Sequence, residues 1–216
     1  MGFRGWPVEA IEFYEGLEAD NSKTYWQQHK AVYEDCVRAP MESLLGELAP
    51  EFGEPKLFRP YRDVRFSADK SPYKTAIAAS LEQGGYIQLS AEGLGAGSGM
   101  YAMAKDQLDR YRRAVADEDS GGRLLAIADE AAAAKVQITG HEMLKRAPKG
   151  YPSDHPRIDL LRYKGLIAWK QWPAGAWLGQ PKAKVRVVEF LRATRPLNDW
   201  LGTNVGPSTL PADGRR

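Results

Sequence analysis

The sequence predicts an α+β fold, an antiparallel β-meander flanked by N-terminal and C-terminal helices in a single domain, and three observations predict it. Apolar residues recur at helical spacing through most of the first fifty residues. From Thr75 the period falls to two, with glycine-containing turns between the alternating runs. Beyond Asp106 the helical spacing returns, interrupted by a tryptophan-rich strand. A chain of 216 residues buries roughly 70% of the surface its unfolded form exposes, enough for one core without covalent staples. The domain is expected over residues 1–203, with a flexible C-terminal tail over 204–216.

The first helix is expected from Pro7 to Glu18, with proline at an opening position, where its missing N–H costs nothing, and Ile11, Tyr14 and Leu17 on one face. Asp20-Asn21-Ser22 ends it and supplies caps for a second helix, Lys23 to Val37, whose stripe of Trp26, Tyr33 and Val37 beside Tyr25, His29, Val32 and Cys36 reads as core contact. Pro40 restarts the helix through Met41, Leu44, Leu45 and Leu48 as far as Pro50. Strands follow at Thr75–Leu81 and Tyr86–Ala91, joined by Gln83-Gly84-Gly85, and a turn at Glu92-Gly93 leads into a third strand, Leu94–Met103. In the first pair Ile77, Ala79 and Leu81 alternate against Ala76, Ala78 and Ser80, which predicts a hairpin with one buried face. Glycines at 93, 95, 97 and 99 fit neither phosphate-loop spacing, and they strip the strand so that a helix or aromatic rings can lie on its backbone.

Helix is expected again over Asp106–Ala116 and Arg123–Ala134, with Asp117–Gly122 as the loop between them and a short strand over Lys135–Thr139. Leu144 to Pro156 carries prolines and glycine and reads as an ordered loop, followed by a short helix to Arg162, a strand at Leu166–Trp172, a helix at Pro181–Ala193 and a last turn at Trp200-Leu201.

Composition narrows the function classes. The single cysteine, Cys36, forms no internal disulfide and points to a reducing, cytoplasmic setting. No apolar run approaches the roughly 18 residues of a membrane helix, and the opening residues lack the apolar core of a signal peptide, so a soluble protein without membrane partners is expected. Net charge is only +2, which leaves no global field for polyanions. The charge is concentrated locally instead: Lys56 to Lys74 holds Lys56, Arg59, Arg62, Arg65, Lys70 and Lys74 against Asp63 and Asp69.

Metal and nucleophile signatures are weak. His29, His141 and His155 are far apart, and Lys145 stands where H-E-x-x-H would need its second histidine. A hard cation held by Asp63 or Asp69 with a ligand phosphate stays open, and no cofactor is named by any motif. Cys36 falls on an apolar helix stripe, where a thiol is inert. General acid–base work by Asp63, Asp69, His155 or Tyr73 is compatible with the residues without being required by their spacing.

The stretch from Phe58 to Thr75 is where the chemistry concentrates. Phe58, Tyr61, Phe66 and Tyr73 between the charges are expected to draw the cations toward packed surface, where converging arginines and lysines bind phosphate or carboxylate. The candidate ligand-binding set is Arg59, Arg62, Arg65, Asp69, Lys70, Tyr73 and Lys74, with Lys145 and Arg146 from the later loop facing them. Asp63 is assigned as a structural brace. A Val64/Phe66 strand alternation would turn it to the same side as Arg65. The alternative reading pairs Arg62, Asp63, Arg65 and Asp69 with one another as an ion-pair scaffold. Three classes therefore stand: a pocket for an anionic small molecule, with or without catalysis; a nucleic-acid-binding module using the cations and Tyr61, Tyr73 or Trp169; and a structural or protein-interaction domain presenting Trp169, Trp172 and Trp177.

Asn21 with Tyr25-Trp26, the run Phe58 to Lys74, Leu144 to Tyr151 with His155-Pro156, and Arg195-Pro-Leu-Asn-Asp-Trp200 resemble the domain of unknown function 2461 family over nearly the whole chain. Tyr25-Trp26 departs from the family's usual Trp-Phe, and Ser71 from its frequent Thr, which keeps the hydroxyl. The resemblance implies a soluble α+β domain with no assigned activity, and implies that the two basic stretches are what its members share.

Overall fold

Helices open the chain and set the first core. In this computed structural model, which describes residues 2–211, α1 (Glu9–Ala19) buries Ala10, Ile11, Phe13, Tyr14 and Leu17. Ser22 caps α2 (Lys23–Val32), its hydroxyl accepting from the Tyr25 N–H at 3.1 Å. The break expected before Pro40 is absent. The helix runs through a π-helical segment, Tyr33–Arg38, directly into α3 (Ala39–Phe52). Pro40 has no N–H to offer the turn behind it and its ring crowds the carbonyl four residues back. In the π segment the Ala39 N–H reaches the Glu34 carbonyl instead, and the widened turn absorbs the ring without ending the helix. Pro50 likewise lies inside α3.

The strands are β1 (Pro55–Leu57), β2 (Ala76–Leu81), β3 (Gly85–Ser90), β4 (Gly93–Met100), β5 (Ile138–Gly140) and β6 (Leu166–Pro173). They form one antiparallel sheet in the order β1-β2-β3-β4-β6-β5, so the fold is α+β. β1, at three residues, is too short to show a period in the sequence; it pairs Leu57 with Ala79. In the β2–β3 hairpin Ile77 faces Leu89 and Ala79 faces Ile87, all buried. The alternate residues, Ala76, Ala78, Tyr86 and Gln88, belong to the other face. β4 stops at Met100 rather than Met103. Its Gly93 and Gly99 have φ of +113° and +99°, and a Cβ there would strike the carbonyl oxygens of Trp172 and Leu166. At these two positions the glycines admit the backbone of β6, and the expected helix also reaches the strand, Asn198 of the C-terminal helix accepting from the Gly99 N–H and the Ser98 hydroxyl, both at 3.0 Å.

Contacts cluster the chain into two units, one ending at Ala96 and taking in Lys170–Glu189, the other taking in Gly97–Trp169 and the chain from Phe190 onward. The first has an aromatic core, with Trp6, Phe13, Tyr14, Trp26 and Tyr33 buried beside Met41, Leu44 and Leu48.

In the second, α4 (Lys105–Ala116) and α5 (Glu118–Ala133) bury Tyr111, Val115, Leu124 and Ile127. Asp117 starts α5 by accepting from the Ser120 N–H at 2.9 Å, which takes the expected 117–122 loop into the helix. Arg157, just before α6 (Ile158–Arg162), donates to the carbonyls of Val115, Ala116 and Asp117 at 2.7, 3.0 and 3.1 Å and satisfies the C-terminal end of α4. α7 (Lys182–Asn204) carries Pro196 inside it, where the helix was expected to stop at Ala193. Burying Leu197, Trp200 and Leu201 contributes roughly 1.5–3 kcal/mol per side chain, which offsets the roughly 3 kcal/mol cost of an internal proline.

The segment after Asn204 differs most from expectation. Val205 is buried, and the Asp106 carboxylate on α4 accepts from the Ser208 hydroxyl at 2.8 Å, the Thr209 N–H at 2.8 Å and the Thr209 hydroxyl at 3.2 Å. Gln107 and Arg110 of the same helix donate to the carbonyls of Gly206, Val205 and Pro207. The segment has no apolar period because polar groups of α4 hold it. Residues 212–216 of the expected tail lie outside the described residues. No helix among the described residues is long and apolar enough to cross a membrane.

Candidate functional site

The basic stretch is stitched to the first unit at its two ends and bulges between them. Tyr61 and Tyr73 form an isolated antiparallel bridge. The Arg62 N–H donates to the Pro72 carbonyl at 2.9 Å, and the Lys74 N–H to Pro60 at 2.8 Å. Asn21 grips the second end: its Nδ2 donates to the Tyr73 carbonyl and its Oδ1 accepts from the Tyr73 N–H, both at 3.1 Å. Trp26 of α2 stacks on the Tyr73 ring at 4.3 Å and 6°. The aromatic stripe of α2 is thus core contact that also seats the loop.

The tip of the bulge is not packed. Phe66 is 97% exposed and the Arg65 side chain 76%, and no strand spans 63–66. A turn, not the expected strand, brings Arg65 back on Asp63, which accepts from the Arg65 N–H at 3.3 Å, Nε at 2.9 Å and Nη2 at 2.7 Å. This fork holds the Asp63 carboxyl down at about 2. The Lys70 ammonium donates to the Val64 carbonyl at 3.0 Å. Arg65, Asp63 and Lys70 therefore hold the loop's own shape.

A cleft of about 570 Å³ lies beside the loop. Its lining includes Ala76, Ala78, Tyr86 and Gln88, the outer residues of the β2–β3 hairpin, and the small alanine side chains leave space that larger ones would fill. Tyr86 donates its hydroxyl to Gln88 Oε1 at 2.9 Å, fixing the amide. Phe58, tied to β2 by its N–H on the Ala78 carbonyl at 2.9 Å, lines the cleft too.

The charged lining groups are Glu18, Arg62, Asp69 and Lys74. Arg62 donates to Asp69, whose other oxygen accepts from the Ser71 N–H at 2.9 Å and hydroxyl at 2.6 Å. The Ser71 hydroxyl first, then the guanidinium, hold the Asp69 carboxyl well below the usual carboxylate range. Lys74 Nζ lies over the Phe58 ring at 5.6 Å and meets no carboxylate within 4.0 Å among the described residues. Glu18 likewise has no ion-pair partner there. Burial pushes the Tyr73 hydroxyl up from its ordinary value.

Of the residues proposed from sequence, Arg62, Asp69, Tyr73 and Lys74 line this cleft, while Arg59, Arg65 and Lys70 do not. Lys145 and Arg146 belong to the second unit, on an exposed loop whose Leu144 and Lys145 carbonyls accept from Arg162 at 2.7 and 3.4 Å. Glu18, Ser71 and Gln88 line the cleft as well, and no motif in the sequence marks them for it. The one available signal was the pair of alanines on the outward face of β2, where a solvated strand would carry larger polar residues.

Other groups carry structural roles. His29 stacks on Tyr25 at 4.0 Å and 20°, with Nδ1 2.9 Å from the Tyr25 carbonyl. Burial pushes up the thiol of half-buried Cys36, which disfavours the reactive thiolate. No group of three His, Cys, Asp or Glu stands together among the described residues.

A family model described as "Conserved hypothetical protein (DUF2461)" matches residues 9–200. Among solved structures, a conserved hypothetical protein from Pyrococcus furiosus is 14% identical over 80% of this chain and 97% of that one, with a TM-score of 0.38. A likeness of that degree carries no argument about function. No curated protein matches the chain.

Proposed function

Since the chain belongs to the DUF2461 family, whose description names no reaction, we propose from the geometry of its own cleft that it binds a small molecule bearing a phosphate or carboxylate. The observation that carries this reading is Lys74. Its ammonium lies over an aromatic face in a cleft, with no carboxylate partner, and an unneutralised cation beside packed rings is stabilised by an incoming anion. Arg62 supports it, since one guanidinium offers five N–H donors and the bond to Asp69 leaves others free in direction. The Ser71 hydroxyl is committed to Asp69 as donor and keeps only acceptor capacity. Phe58 and Tyr86, with ring centroids 6.4 Å apart, supply an apolar wall for the rest of the ligand.

Thermal unfolding against inorganic phosphate, nucleotides and polycarboxylates tests the reading. A bound anion at a hundredfold excess over its Kd adds about 2.7 kcal/mol, which is a rise of roughly 5–11 °C for a chain of this length. Lys74→Met should abolish that rise while leaving the melting of the free protein within about 0.5 kcal/mol of the parent, as for other surface substitutions. No shift across the whole panel overturns the proposal.

A further inference from the structure

The cleft contains an anionic group as poorly compensated as its cationic one. Glu18 sits in the last turn of α1, where the unpaired carbonyls already make the helix end negative and a carboxylate is disfavoured. That turn contains no basic residue. Glu18 is exposed, has no ion-pair or hydrogen-bond partner among the described residues, and lines the same cleft as Lys74. The remaining charged pair, Arg62 and Asp69, neutralises itself. The lining thus sums to no net charge while offering one uncommitted cation and one uncommitted anion.

We infer that the ligand is zwitterionic: an anionic head held at Lys74 with a protonated amine held at Glu18, the chemistry of an amino acid or an amino-phosphate. This rests on the anion-binding reading of the same cleft. A polyanion such as a nucleoside triphosphate suits the site less, because the lining sums to no net charge and the charge of Arg62 is already balanced by Asp69. The amide of Gln88, oriented by Tyr86, lies in the same lining and accepts or donates to the polar middle of such a molecule.

The experiment compares matched probes by calorimetry and thermal shift on the full chain: O-phosphoethanolamine against ethyl phosphate, and L-phenylalanine against 3-phenylpropanoate. In at least one pair the amine-bearing member should bind ten times more tightly or better. Glu18→Gln, a change at an exposed residue checked for folding by its melting curve, should bring that pair within about twofold while keeping the affinity of the amine-free anion. Lys74→Met should abolish binding of both members. Equal affinity within both pairs, or a preference that survives Glu18→Gln, overturns the zwitterion inference and leaves the anion site standing. If neither probes nor simple anions bind, the anion reading falls and this inference falls with it.

Discussion

Lys70 and Lys74 are four residues apart in one basic run and do different things. The first donates to a carbonyl of its own loop, while the second lies over Phe58 in a cleft. Sequence names the charges and not their partners, and the partner decides the role. Asp63 makes the point quantitatively. Its folded value of about 2 lies below the ordinary aspartate value of about 3.9, so the folded state favours the ionised carboxyl. Its contribution to stability is fully present above the ordinary value and is lost as pH falls from about 4 toward 2. Because both partners face solvent, the contribution is small, and replacing Arg65 strands no buried charge. An NMR titration of the Asp63 carboxyl should give a midpoint near 2, and Arg65→Met should return it close to 3.9. A midpoint unmoved by the substitution would mean that Arg65 does not hold the carboxylate.

At the scale of elements, the parts that showed a clean period were legible: the β2–β3 hairpin, with its buried Ile77, Ala79, Ile87 and Leu89, and the apolar faces of α1 and α3. Prolines misled. Pro40, Pro50 and Pro196 all lie in helices that continue, because a π turn or buried side chains beyond the proline outweigh one missing hydrogen bond. The C-terminal segment misled in the opposite sense. Residues 205–210 have no period, yet Asp106 gathers Ser208 and Thr209, and these donors hold its carboxyl well below the usual carboxylate range. No reading along the chain pairs Asp106 with residues a hundred positions later. Truncation after Pro207 should lower Tm by about 2–4 °C, and Asp106→Ala in the full chain should reproduce most of that drop. Unchanged melting on truncation would show that the segment contributes nothing.

At the scale of the whole molecule, the excess of cations from Lys56 to Lys74, six against two, stays a local feature. Arg62 is paired with Asp69 and Arg65 with Asp63, and with a net charge of +2 no long-range attraction makes up the difference beyond a Debye length of about 8 Å at physiological salt. One feature favours nucleic acid: Phe66 and Tyr61, 97% and 50% exposed, stand among Arg59, Arg65 and Lys70 as a strand-binding surface would have them. The two ligand classes separate by salt. Were those three cations to meet backbone phosphates, log affinity for single-stranded DNA would fall with log salt at a slope of roughly −2, at about −0.7 per phosphate. A single anionic head at Lys74 loses far less. With a labelled single-stranded oligonucleotide followed by fluorescence anisotropy, the expected outcome is no saturable binding at about 150 mM salt, where screening reaches within about 8 Å, while the anion-induced thermal shift persists. Saturable binding with the steep slope, removed by Phe66→Ala together with Arg65→Met and untouched by Lys74→Met, would move the function from the cleft to the exposed loop tip.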